Sequence, residues 1–145
     1  MSSPKMQWYI KSEDVYVPKK DYYAGAYAPE DIIELDITIW NNRYGTEPVE
    51  DLRNPVLVFY FDSLEDSILL QYSKVSIDNG GHEKPEIMEQ KAYIAMQRSS
   101  IKGTPNEGIE DNTDNYVDIN IVFDFSNLPV KKNDLKNLYF EIVSQ

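Results

Sequence analysis

The chain has no cysteine and one histidine, His82. The first absence removes disulfide frameworks, thiol nucleophiles and every cysteine-ligated zinc site. The second leaves His82 as the sole imidazole in the chain. Catalysis through it needs a nucleophile and an orienting acid such as Glu83 or Glu86. No Gly-x-Ser-x-Gly elbow or comparable motif occurs, so His82 reads as a solvated residue of the turn Asn79-Gly80-Gly81. Long apolar runs are also missing. The longest, Val56 to Phe61, is far too short for a membrane span. The N-terminus Met1 to Trp8 lacks the apolar core of a signal peptide. The expected location is therefore a cytoplasm or an assembled particle such as a virion. Basic residues are scarce, with 14 Lys and Arg against 25 Asp and Glu, a net charge of −11. Binding to duplex phosphate needs clustered cations, so nucleic acid is excluded as a general partner, and anionic membranes are disfavoured. The acidic balance reads first as a solubility device.

What the chain does have is enough length for one domain, 145 residues. Such a domain buries about two-thirds of its unfolded surface and needs no metal, cofactor or disulfide to fold. Ile33, Leu35, Ile37 and Ile39 alternate with Glu34, Asp36, Thr38 and Trp40. Val117, Ile119, Ile121, Phe123 and Phe125 alternate with Tyr116, Asp118, Asn120, Val122 and Asp124. A period of two sorts each set onto its own face of a strand.

Further strands are expected at Met6 to Ile10, Asp14 to Val17, Val56 to Phe61, Ile68 to Ile77, within Ile87 to Ile101, and at Leu138 to Val143. Asn133 or Asp134 is expected to cap a short helical turn. The result is an all-β fold, an antiparallel two-sheet sandwich of about seven strands, because each alternating strand must bury its apolar face against a second layer. Residues 1–30, rich in Tyr and Pro, read as an N-terminal arm with possible edge strands, and 31–145 as the sandwich domain.

The segments IELDITIWNN and NPVLVFYF resemble the immunoglobulin-like β-sandwich modules of bacterial and bacteriophage structural proteins. In those modules an alternating strand ends in an Asn-rich turn and a later strand opens on an apolar run. The resemblance implies an immunoglobulin-like topology, a tyrosine corner at Tyr116, and a role as an accessory part of virions or adhesins.

These observations give a non-enzymatic structural or interaction protein, most concretely a capsid, neck or tail accessory component of a tailed bacteriophage. Its partners are then other protein subunits of an assembly, virion proteins among them. The expected contact residues are Trp8, Tyr9, Tyr22, Tyr23 and Tyr27 of the arm, since Tyr and Trp are enriched at interfaces. The acidic loop 102–115 supplies Glu110, Asp111 and Asp114. Its oxygens suit calcium in type, but the segment departs from the calcium-loop pattern, and a solvated loop is the expectation. On this reading the arm can be deleted without loss of the fold. The alternative is a carbohydrate-binding module that stacks sugars on outward rings at Trp40, Tyr44, Tyr93 and Tyr116. Asp36, Asp118 and Asp124 project from outer strand faces and read as solubilising groups.

Overall fold

The two alternating stretches form the centre of one sheet. In the computed structural model they are β5 (Ile32–Asn41) and β12 (Tyr116–Asp124), paired antiparallel with Ile37 opposite Ile119. The structure describes residues 1–11, 15–16, 21–23, 26–27, 32–61, 64–110, 114–126, 133–134 and 137–144. The first sheet runs β2 (Val15–Tyr16), β1 (Met6–Ile10), β5, β12, β8 (Ser73–Ile77). The second runs β3 (Asp21–Tyr23), β14 (Asn137–Ser144), β7 (Pro55–Phe61), β10 (Lys91–Ala95), β9 (Glu86–Met88). Two short ladders, β6 (Leu52–Arg53) with β11 (Ser100–Ile101) and β4 (Ala26–Tyr27) with β13 (Asn133–Asp134), complete the set. Every strand pairing in these sheets is antiparallel.

The apolar faces of the two sheets meet. Leu35, Ile37, Ile39, Ile119, Ile121 and Phe123 from one lie in a single core with Leu57, Phe59, Ala92, Leu138 and Phe140 from the other. Phe123 touches both Phe59 and Phe61 across the gap, at centroid separations of 6.3 and 5.5 Å. The all-β antiparallel sandwich is therefore present.

Four expectations are corrected. The strands outnumber seven. Ile68 to Tyr72 is not strand: Leu64–Tyr72 is 3-10 helix, in which consecutive Leu69 and Leu70 are both buried and Ile68 is exposed. Burial of two neighbours suits a turn of helix rather than a strand with one dry face. Asn133 and Asp134 are strand residues paired with Tyr27 and Ala26, and positions 135–136, where a capped turn would follow, lie outside the described residues. Finally, the first thirty residues contain strands of both sheets. β1 lies between β2 and β5, Met6 opposite Asn41 and Ile10 opposite Ile37.

Candidate functional site

The outer face of the first sheet carries the polar residues of β5 and β12, and it divides into a closed aromatic end and an open polar end. The closed end forms because β5 runs into a turn with positive φ at Asn42 and Tyr44, 60° and 61°. That turn aims Arg43 back over the sheet. Its guanidinium lies 4.3 Å from the Tyr9 ring centroid, 4.8 Å from Trp40 and 5.0 Å from Tyr44. Its Nε and Nη2 donate to the Gly108 carbonyl at 3.2 and 3.0 Å. Trp40 packs on Tyr116 at 4.7 Å and is 1% exposed. The indole Nε1 has no partner among the described residues.

Asparagines tie the covering loop to β5. Asn42 Nδ2 donates to the carbonyls of Glu47 and Gly103, Asn41 Nδ2 to those of Glu50 and Ile101, and Asn115 Nδ2 to those of Lys102 and Thr104. Each amide thereby joins two carbonyls to one side chain.

The open end is built across three strands and one turn. Asn120 stands opposite Asp36 on β5 and opposite Ser76 on β8. Its amide nitrogen donates to Glu34 Oε1 at 2.8 Å and Asp36 Oδ1 at 2.7 Å. Carboxylates only accept, so the nitrogen must face them. The amide oxygen then faces His82 Nε2, 2.7 Å away. An oxygen there requires Nε2 to carry the proton, which leaves Nδ1 as the acceptor of the neutral ring. His82 is thus oriented by Asn120, not by Glu83 or Glu86. The Glu83 backbone instead pairs with Val75, covering the β8 edge.

Beside this set, Lys11 Nζ lies 3.0 Å from Asp118 Oδ1, and the Thr38 hydroxyl lies 3.3 Å from Asp118 Oδ1 and 3.4 Å from Glu110 Oε1. Burial lowers the Lys11 pKa, but the hydrogen bond and charge of Asp118, with Glu110 and Asp36, raise it above 10.5 on balance. The stabilisation it brings is complete below the ordinary lysine range and is lost as pH rises through the folded value. Arg98 bridges Asp78 at 2.6 Å and the Tyr116 carbonyl at 2.9 Å, at the β8 margin.

The expected contact residues fare differently. Trp8 is 3% exposed, its ring 4.9 Å from Phe140, and Tyr9 is 9% exposed beneath Arg43. Both are core residues, because β1 is an interior strand. Tyr22 and Tyr23 lie on β3 and Tyr27 on β4, within the fold's ladders. Glu110 faces Thr38, while Asp114 is exposed and its carbonyl accepts from Lys102 N–H. Asp111 lies outside the described residues. No three His, Asp or Glu side chains gather as a metal-ligand set among the described residues. Trp40 and Tyr116, expected as outward sugar-stacking rings, are buried; Tyr44 is exposed on the same sheet's end, and Tyr93 is half-buried on the other sheet. Those four rings form no shared platform. Asn120, Glu34 and Lys11 were missed. Their signal lay in strand register, which pairs Asn120 with Asp36 and cannot be read from one strand alone.

No protein-family model and no curated protein matches this chain. A solved structure similar to it is that of AvmM, which catalyses macrocyclization in alchivemycin A biosynthesis. The match has 15% identity and a TM-score of 0.33, and covers 82% of this chain and 71% of that one. That structure is named for a macrocyclization catalyst and not for a phage structural protein, so the expectation of a non-enzymatic virion part finds no support in it. The likeness is too low to transfer either fold or activity to this chain.

Proposed function

We propose that the chain is a ligand-recognition domain whose open sheet face takes a cationic group with several hydrogen-bond donors, the Arg or Lys side chains of another protein's segment. One observation carries this reading. Asn120 spends both amide protons on Glu34 and Asp36, and its oxygen takes the Nε2 proton of His82. Every donor of this set is consumed internally. What it offers outward are acceptors, namely His82 Nδ1 and the second oxygens of the two carboxylates. A guanidinium or ammonium is the complement of such a set. The net charge of −11 draws the same class of ligand over longer range.

The test is titration of the ¹⁵N-labelled protein with an Arg-rich peptide. Shifts are expected at His82, Asp36 and Asn120, weakening with added salt. The double variant E34Q/D36N should lose this binding. E47Q/E107Q, which makes the same change in charge on the loops at the other end of β5, should keep it. Equal loss in both variants reduces the effect to bulk charge and removes the site.

A second reading rests on the tautomer. A neutral imidazole with Nε2–H held and Nδ1 outward is arranged to accept a proton from a bound substrate. It predicts that N120L, which frees the ring but keeps the imidazole, lowers the rate of His82-dependent hydrolysis of an activated ester. An unchanged rate leaves recognition alone.

A further inference from the structure

Away from the polar face, the segment Pro48–Arg53 and the N-terminal residues enclose an open cleft of about 660 Å³. Its size lies within the ~300–1,000 Å³ typical of small-ligand sites. Pro4, Pro48, Val49 and Leu52 give it an apolar wall, with Val49 and Leu52 buried at its base. Three ionised side chains line it, Glu50, Asp51 and Arg53, and the Glu50 carboxylate and the Arg53 guanidinium have no partner among the described residues. Asp51 differs: its Oδ1 accepts the Gly103 N–H at 2.9 Å and its Oδ2 lies 3.6 Å from Lys102.

The backbone beneath the two charges is fixed. Glu50 N–H donates to the Ser2 carbonyl at 2.8 Å, and the Glu50 carbonyl accepts from Asn41 at 3.0 Å. The Arg53 carbonyl accepts from the Ser144 hydroxyl at 2.6 Å. The cleft thus holds an unpaired acid, an unpaired guanidinium and an apolar wall between prolines. Two unpaired charges of opposite sign on one short segment favour a ligand that carries the complement of each.

We propose that this cleft binds a short apolar peptide with both termini free, its ammonium on Glu50, its carboxylate on Arg53 and its side chains on Val49, Leu52 and the two prolines. A ligand bearing one charge leaves the other side chain unmatched, and a wholly apolar ligand leaves both. The opposed pair therefore selects a zwitterion over simple acids or amines.

The probe is the dipeptide Leu-Leu, titrated into the ¹⁵N-labelled protein at millimolar concentration, beside the doubly blocked N-acetyl-Leu-Leu-amide. Saturable shifts are expected at the amides of Val49, Leu52 and Arg53 with the free dipeptide. E50Q and R53Q should each weaken binding by roughly three- to tenfold, the range for one charge-assisted pair partly shielded from water. Both side chains are exposed, so the unaltered remainder of the spectrum verifies the fold. The proposal is overturned if the blocked peptide binds as well as the free one, if neither shifts these amides, or if both variants bind as the parent does. Shifts at Asp36 and Asn120 instead would also overturn it and assign the peptide to the polar face.

Discussion

Single side chains decide how the loop over Trp40 is held. Asn115 is 5% exposed and donates to two loop carbonyls at 2.9 Å each. Replacing it with alanine removes both of these partly buried bonds, and Asn115→Ala is expected to cost about 1–2 kcal/mol, read as a lowered urea midpoint at unchanged slope. Asp124 gives a pH signature. The hydroxyl and the backbone N–H of Ser126 donate to it at 2.6 and 3.0 Å and hold its carboxyl below 3.8, aided by Lys74 against a small desolvation effect. A depressed carboxyl stabilises the fold above its unfolded value, and that contribution disappears as pH falls through the folded one. NMR titration should place the Asp124 midpoint below 3.8, and Ser126→Ala should move it up. At this scale the sequence was a partial guide. The outward parity of Trp40 and Tyr116 was legible from alternation, but their burial was not, since it comes from a loop more than sixty residues further along for Trp40, through Arg43 and Gly108.

Among the elements, the β9–β10 hairpin is the most exposed to test. Met88 and Lys91 close it, and Glu89 and Gln90 at its tip both have positive φ, 50° and 68°. A two-residue turn with that pair of angles matches the right-handed strand twist, and it favours Asn-Gly over side chains that meet steric strain there. Gln90→Gly is therefore expected to stabilise the protein by about 0.5–1 kcal/mol, measured as a raised denaturation midpoint. A lowered midpoint would show that the Gln90 side chain contributes more than its backbone strain removes. The long strands β5, β7, β12 and β14 were readable because their apolar period survives any choice of partner. The hairpin within Ile87 to Ile101 and the 3-10 stretch were harder. Met88, Ala92 and Ala95 also fit helical spacing, and Leu69-Leu70 gives no alternation to follow.

For the molecule as a whole, the position of β1 overturns the image of a detachable arm. Its five residues pair with β5 from Met6–Asn41 to Ile10–Ile37, and Trp8 enters the core against Phe140 of the opposite sheet. The aromatic, proline-punctuated composition of the first thirty residues suggested an appendage, because composition does not record which sheet a short strand joins. Trp8→Ala removes a ring that touches both layers and is expected to cost about 3–5 kcal/mol. A domain of this size is stable by only about 5–15 kcal/mol, so that one change removes a large share. Deleting residues 1–11 goes further. It takes Trp8 and the whole β1 ladder, leaving the backbone of β5 as an open edge for other chains to join. The truncated protein should show no cooperative thermal transition and should aggregate at concentrations where the full chain remains dispersed. A truncated chain that still unfolds in one sharp step would mean that β5 and β12 close the core without their N-terminal neighbour.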